Sequence, residues 1–203
     1  GETTEWLGAE HLLAQRARTP ELARAITAAA RAREAMAVAA GIDLTGNNPG
    51  PTNIAAGLST IEEKSLGAIA KSGTGPIDGL LAYAEAPPGA GLYVMDAPSY
   101  APESVTGFVA AGATMVLFTT GVGNSYTSAL APTLKVSANP ETTARLGQQL
   151  DFDASDVFRG TETPEAAALR LALTLGEVAS GALSWGEILA DSDEVVSRFG
   201  PSL

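Results

Sequence analysis

The stretch GLSTIEEKSLGAIAKSGT, at Gly57–Thr74, contains signals for both the start and the end of one helix. Its Ser59–Glu62 segment has the pattern of a capping box, in which a hydroxyl and an acid bond the first free amides of a helix. A second stretch, VLFTTGVG at Val116–Gly123, is an apolar run that ends in hydroxyls and glycines, which is typical of a buried strand followed by a loop. A capped helix followed by such a strand predicts a protein that mixes helices with sheet.

The centre of the chain alternates short apolar strands with helices. Strands are predicted at 92–95, 114–118 and 134–136, and helices at 102–111 and after Asn139. Strands of continuous apolar character, separated by a helix of about ten residues, are typical of parallel pairing. The pattern predicts an α/β fold, Rossmann-like and doubly wound, with a mostly parallel sheet and flanking helices.

We predict a single α/β domain across residues 1–203, with three regions of different composition. Residues 1–45 are a helical leading segment with one long helix to Ala40, residues 46–160 are the Gly-rich α/β centre, and residues 161–203 are a helical end. The segment 46–51 is predicted to be loop. Because the sequence begins without Met, directly before an apolar helical run, we expect a piece of a longer polypeptide or a processed product.

The composition excludes several classes of protein. The net charge of −11 opposes binding to nucleic acid or to an anionic membrane surface. No apolar run approaches the roughly 20 residues that span a bilayer. The sequence contains no Cys, which excludes a disulfide framework and a thiolate metal site. Without a membrane span in the sequence, we expect a cytoplasmic protein. A small acidic ligand is compatible with the net charge, since a few local cations can overcome the bulk charge at one site.

Two predicted loops leave neighbouring strands where ligands bind in open α/β sheets, beyond the carboxyl ends of the strands. They are Asp96–Tyr100 and Thr119–Ser125. The second loop combines hydroxyls with amides freed by glycine, and such a loop can cradle a carboxylate or a phosphate. A plain turn from strand to helix also favours Gly, Asn and Ser, so the sequence leaves both interpretations open.

Three other motifs have ordinary structural explanations. His11 is the single histidine, and a lone histidine on a helix is more often structural than a metal ligand. The glycines of Gly73–Gly75 and Gly121–Gly123 do not complete a G-x-G-x-x-G sequence, which argues against a dinucleotide site. The acids, lysine and hydroxyl of Glu62–Ser65 are compatible with the first turn of a solvated helix.

Many blocks of the sequence, taken in order, resemble the C-terminal domain of the altronate and galactarate dehydratases, which the sulfo-lyase large subunits share. The resemblance covers most of the chain. Its blocks are Glu5–Leu13, Asn48–Pro49, Asn53, Gly57–Thr74, Ser104–Gly107, Phe118–Gly123, Ala131–Val136 and Ala179–Gly181. It implies a hydro-lyase that removes water from a sugar acid or a related hydroxy acid by α-proton abstraction and β-elimination, giving a 2-keto-3-deoxy acid.

The resemblance also implies roles for individual residues. Lys64 becomes a catalytic base or a clamp for the substrate carboxylate, and Glu63 becomes a catalytic acid or a metal ligand. The implied substrate-binding residues are Asn53, Ser65, Thr119, Thr120, Gly121 and Gly123. Because dehydratases of this family are typically iron-dependent, the expected cofactor is a divalent metal, iron(II), whose ligands the sequence does not identify.

The chain departs from the family pattern at two loops. Ile54 stands where the family usually has Lys, Ala56 where it has Gly, and Val122 where it has Arg. Losing two cations favours either a related lyase with a less anionic substrate or a non-catalytic assembly domain. The family also implies N-terminal and middle domains, or a small subunit, as missing partners, and a homo-oligomer is possible.

Overall fold

The computed structural model describes residues 2–44, 48–55 and 57–196, which form two compact units. One unit comprises the described residues of Gly1–Gly112 and Val196–Leu203, and the other comprises Ala113–Val195. The predicted α/β fold with parallel strands and flanking helices is confirmed, and the strands are divided between two short sheets. No helix of the described residues is both long and apolar enough to cross a membrane.

The first unit surrounds a two-stranded parallel sheet with helices. Its elements are a 3-10 helix at Thr3–Trp6, the helices α1 (Glu10–Ala14), α2 (Pro20–Ala40), α3 (Pro51–Ala55), α4 (Ile61–Ala70) and α5 (Ala101–Ala110), and the strands β1 (Gly79–Leu81) and β2 (Tyr93–Met95). Leu80 of β1 is in register with Val94 of β2. A core that includes Trp6, Leu13 and Ile26 lies beneath these elements.

Helix α2 forms as the sequence predicts. The Thr19 hydroxyl caps it by accepting a hydrogen bond of 3.2 Å from the Leu22 amide, and Pro20 occupies the first helical position, where its missing N–H costs nothing. The helix ends at Ala40, before Gly41. Its buried residues include Ile26 and Ala30, which pack in the core of this unit.

The cap of α4 lies one residue later than the sequence predicts. The Thr60 hydroxyl, rather than that of Ser59, accepts the hydrogen bond from the Glu63 amide, at 3.2 Å. The Glu63 carboxylate in turn accepts from the amide and the hydroxyl of Ser59, each at 2.8 Å. Two hydroxyls followed by two acids satisfy the capping pattern in either register, and the extended backbone at Thr60 selects the later one.

The predicted loop at 46–51 ends before its last residue. Pro51 begins α3, because proline is well suited to the first turn of a helix. Asn48 and Pro49, joined by a cis peptide bond, are buried. Gly46 and Asn47 lie outside the described residues.

The second unit contains a three-stranded parallel sheet in the order β3-β4-β5. Its elements are the strands β3 (Val116–Thr119), β4 (Thr133–Ser137) and β5 (Phe152–Asp153) and the helices α6 (Pro140–Arg145), α7 (Ser155–Arg159), α8 (Pro164–Ala179) and α9 (Trp185–Leu189). Leu117 pairs with Leu134, and Val136 pairs with Phe152. Leu134 and Phe152 are buried, so the central strand lies in the interior.

Candidate functional site

The centre of the candidate site is Lys64, in the first turn of α4. Its Nζ lies 2.6 Å from Glu5 Oε1 and also donates to Asn48 Oδ1. Only 25% of the Lys64 side chain and 14% of the Glu5 side chain are exposed. A cation in the first turn opposes the helix dipole, so the carboxylate partner supplies the compensation that the helix does not.

Close packing of α4 against the N-terminal segment brings Lys64 to Glu5. Gly8 has a φ of 79°, and a Cβ there would overlap the side chain of Glu62. Glycine therefore permits both the left-handed turn after the 3-10 helix and the approach of α4. A side chain at position 8 would push the two elements apart and lengthen the Lys64–Glu5 contact.

A second carboxyl group, that of Glu2, hydrogen-bonds to Glu5. Burial raises the pKa of Glu2 to about 8, helped by the negative charge of Glu5 and by the hydrogen bond between the two carboxyls, while Lys64 acts in the opposite direction. Glu2 is therefore protonated at neutral pH. The cluster of Glu2, Glu5, Lys64 and Asn48 combines an un-ionised acid, a carboxylate, an ammonium and an amide.

Asn48 contributes an unused donor to this cluster. The residue is 5% exposed, and its Oδ1 accepts from Lys64. Its Nδ2 is buried and finds no acceptor among the described residues. A buried donor without a partner costs free energy, and the commonest explanation in a native protein is a ligand or an ordered water that completes it.

The carboxyl end of β2 holds the N-terminal segment in place. Asp96 Oδ1 accepts from the Thr3 hydroxyl at 2.6 Å and from Nε and Nη2 of Arg33 at 3.0 and 2.9 Å. The Ala97 amide donates to the Thr3 hydroxyl at 3.0 Å. The loop predicted as a ligand-binding edge therefore fixes the 3-10 helix that carries Glu5.

The other predicted site residues of the first unit have local partners. Glu63 is exposed. The hydrogen bond that its carboxylate accepts from the Ser59 amide, together with a second one from the Ser59 hydroxyl, holds the pKa of Glu63 below its usual value. The Ser65 hydroxyl donates to the Ile61 carbonyl within α4, at 2.9 Å. Asn53 Oδ1 accepts from the Gly50 amide at 3.2 Å. Among the contacts of the described residues, Lys64 alone of these predicted residues joins the cluster.

The remaining predicted residues belong to the second unit. After β3, the Thr120 amide donates to the Val136 carbonyl at 2.9 Å, and the Gly123 amide donates to the Thr120 hydroxyl at 3.0 Å. Gly123 has a φ of 96°, and a Cβ there would overlap Leu146. Two amides of the predicted cradle are thus already used within the protein. The substrate-binding role of Thr119, Thr120, Gly121 and Gly123 stays a prediction.

Helix α6 holds the carbonyls of the same loop. The Gly121 carbonyl accepts from Asn139 Nδ2 at 2.9 Å and from the Thr142 hydroxyl at 2.7 Å. The Val122 carbonyl accepts from Nη2 of Arg145 at 3.0 Å. The Arg145 guanidinium therefore lies at the loop in which Val122 replaces the arginine of the family pattern. Ile54 is exposed on α3, and Ala56 lies outside the described residues.

A buried lysine lies in the second unit and was not predicted as a functional residue. Lys135 is 4% exposed on β4, and its Nζ donates to the Ser125 carbonyl at 2.8 Å. Burial lowers the pKa of Lys135, while the negative charges of Asp151 and Asp191 raise it. The lysine ties the loop after β3 to the central strand of its own unit.

The described residues do not fit an iron site by themselves. Among them, no three His, Cys, Asp or Glu side chains converge in a way that would hold a metal ion. At the candidate site, Lys64 already supplies the positive charge beside Glu5. His11, the single histidine, is exposed on α1.

Comparison with known proteins identifies the family. A family model described as D-galactarate/Altronate dehydratase, C-terminal, matches residues 1–202. The chain belongs to this dehydratase family. The resemblance drawn from the sequence motifs is therefore confirmed.

The curated relatives are lyases of greater length. The (2R)-sulfolactate sulfo-lyase subunit beta of Chromohalobacter salexigens is 36% identical over 200 residues, which cover 98% of this chain and 51% of the relative. The altronate dehydratase of Escherichia coli is 36% identical over 58% of this chain and 24% of its own length. The galactarate dehydratase (L-threo-forming) of Escherichia coli is 35% identical over 66% of this chain and 26% of its own length. The chain thus spans about half, or about a quarter, of these relatives.

The sequence motifs named Lys64 but not the residues that contact it in the structure. Glu5 and Asn48 fell within the family blocks without a role, and Glu2 had none. One signal was available, because a lysine in the first turn of a helix opposes the dipole and so requires a compensating acid. The identity of that acid depends on tertiary contact, since Glu5 and Lys64 are far apart in the sequence.

Proposed function

We propose that this chain is the C-terminal domain of a carbon–oxygen lyase that dehydrates a sugar acid or a related hydroxy acid to a 2-keto-3-deoxy acid. Membership of the dehydratase family supports the reaction class. The observation that carries the proposal is the position of Lys64, whose ammonium group is held by Glu5 and Asn48. This elimination needs a fixed cation beside the substrate carboxylate.

The chemistry explains why the cation matters. Loss of the proton on the carbon next to the carboxylate moves electron density into that carboxylate, and the enolate-like intermediate is stabilised by a nearby positive charge. The β carbon–oxygen bond then breaks, water leaves, and the enol relaxes to the 2-keto acid. In this scheme, Lys64 binds the carboxylate and stabilises the charge that develops on it.

The surroundings of Lys64 favour the clamp over the base. The Glu5 carboxylate, 2.6 Å from Nζ, pairs with the ammonium form, which has no lone pair for a proton. An ammonium group has three N–H donors, and Glu5 and Asn48 accept two of them. Within the described residues, one donor remains for the substrate carboxylate. Because Lys64 is charged and cannot accept a proton, we assign removal of the α-proton to the Glu5 carboxylate.

The rest of the enzyme is proposed to lie outside this chain. Because the relatives are two to four times longer than the matched region, a further domain or a partner subunit would complete the site. The ligands of the expected iron would lie there, since the described residues do not provide them.

The substrate is proposed to carry fewer anionic groups than a sugar diacid. Ile54 and Val122 replace two cations of the family pattern, and both are exposed. Arg145 partly offsets the second loss, because its guanidinium contacts the Val122 carbonyl. The proposed substrate is therefore a hydroxy acid whose single carboxylate is bound by Lys64.

The test is release of 2-keto acid from a panel of hydroxy acids by the full-length protein. Lys64→Ala should lower the rate by at least about a hundredfold, whereas Lys64→Arg should retain part of it, because arginine also binds carboxylates. Lys71→Ala, at the C-cap of the same helix and exposed, is the matched control and should leave the rate unchanged. Full activity of Lys64→Ala would contradict the proposal and favour a non-catalytic assembly domain.

A further inference from the structure

The Glu2 and Glu5 carboxyls hydrogen-bond to each other, which constrains their protonation. Two ionised carboxylates repel each other and neither has a proton to donate, so a hydrogen bond between them requires one shared proton. Glu5 is the member paired with Lys64, at 2.6 Å, and is therefore the ionised partner. Glu2 holds the proton. It also has a φ of 52°, a conformation that is uncommon away from glycine and that often occurs at functional sites.

The charges that act on Glu2 are those of Glu5, Lys64 and the N-terminal amino group. Glu5 lies on the adjoining 3-10 helix, and Lys64 lies on α4. Arg33, on α2, is paired with Asp96. Burial and Glu5 favour the neutral form of Glu2, and the smaller effects of Lys64 and the N-terminal amino group do not reverse them. At neutral pH a neutral carboxylic acid therefore lies beside a carboxylate. In such a pair, the first group can act as general acid and the second as general base.

Asn48 independently indicates a ligand at this cluster. Its Nδ2 is buried without an acceptor among the described residues, while the Oδ1 of the same amide binds Lys64. An oxygen of a bound hydroxy acid, seated against Lys64, would satisfy this donor. The cluster thus offers a cation, a neutral acid and a free amide to one small oxygen-rich molecule.

We propose that Glu2 is the general acid that protonates the departing β-hydroxyl of the substrate, with the Asn48 amide binding a substrate oxygen. The inference rests on the proposed lyase function. Glu63, the acid implied by the family resemblance, suits this role less well, because its hydrogen bonds to Ser59 favour the ionised form.

Glu5 and Glu2 together account for both proton transfers of the elimination. Glu5 takes the proton from the α carbon and becomes neutral. The β carbon–oxygen bond breaks with both electrons going to oxygen, and Glu2 gives its proton to that oxygen, so that water leaves. Glu2 is then ionised and Glu5 protonated. Transfer of one proton across their hydrogen bond restores the starting state, and the net reaction is the loss of water.

The test uses Glu2→Gln in the full-length protein, because glutamine keeps a hydrogen bond to Glu5 but has no acidic proton. Turnover of a hydroxy acid should fall at least about a hundredfold in kcat, with little change in KM. The matching β-chloro acid should react at nearly the parental rate, since chloride leaves without a proton. Glu34→Gln, an exposed glutamate on α2, is the control and should leave both rates unchanged.

Infrared difference spectroscopy gives a readout besides activity. The parent protein should show the stretching band of a protonated carboxyl at pH 7, and the band should be lost as the pH rises through about 8 and be absent from Glu2→Gln. Equal losses on the hydroxy and chloro substrates, or a band that persists in Glu2→Gln, would overturn the acid role. If Lys64→Ala is as active as the parent protein, the proposed function fails, whatever Glu2→Gln shows.

Discussion

The ion pair between Lys64 and Glu5 is expected to stabilise the protein as well as to bind substrate. Lys64→Met keeps most of the aliphatic stem but removes the charge, which leaves the Glu5 carboxylate buried beside Glu2. At 2.6 Å the Coulomb energy is about 6 kcal/mol for an effective dielectric constant of about 20, before desolvation is subtracted. Losing one partner of a fully buried pair costs about 3–5 kcal/mol.

The partial exposure of this pair lowers the expected cost. Because 25% of Lys64 and 14% of Glu5 are exposed, we expect Lys64→Met to reduce the free energy of unfolding by about 2–3 kcal/mol. Sequence reasoning alone gives less than about 1 kcal/mol, because it treats Lys64 as a solvated lysine. Burial of both partners accounts for the larger value.

A double-mutant cycle measures the interaction. Urea unfolding of the parent chain, Lys64→Met, Glu5→Gln and the double variant should give a coupling energy of at least about 1 kcal/mol. The pair of Arg24 and Glu21 is the control, because its distance is similar, 2.7 Å, but its side chains are 68% and 73% exposed. That pair should show no measurable coupling. A Lys64–Glu5 coupling as small as the control would refute the argument from burial.

Burial raises the pKa of Glu2 from 4.5 to about 8, so between these pH values the native state keeps a proton that the unfolded chain loses. The free energy of unfolding should therefore fall as the pH rises from about 4.5 to about 8. Urea unfolding of Glu2→Gln at several pH values should not show this fall. The isolated 203-residue chain should fold but release no 2-keto acid, even with ferrous iron without oxygen; robust turnover would refute this. Val122→Arg should increase the binding of diacids by the full-length protein, and unchanged affinity in calorimetry would be evidence against a role for that position.

Local signals predicted much of the fold. Thr19 and Pro20 predicted where α2 begins, and Gly41 predicted where it ends, because caps act within a few residues. The apolar runs predicted β2, β3 and β4 and the parallel pairing of β3 with β4, but β2 pairs with β1 in a separate sheet. Strands β1 and β5 were missed, since three and two residues are too few to show a period.

The site was less predictable than the fold. Lys64 carried a family signal, but Glu2, Glu5 and Asn48 acquire their roles through contacts that bring distant segments together. The raised pKa of Glu2 depends on burial, which its position in the sequence does not reveal. A single domain, a cytoplasmic location, the iron and the oligomeric state stay predictions.

The most direct test of the central claim compares a hydroxy acid with its uncharged amide as substrates of the full-length protein. If Lys64 binds the carboxylate, the parent protein should prefer the acid by at least about a hundredfold in kcat/KM, and Lys64→Gln should lose that preference. The retention of the same preference by Lys64→Gln would contradict the assignment of Lys64 as the carboxylate clamp.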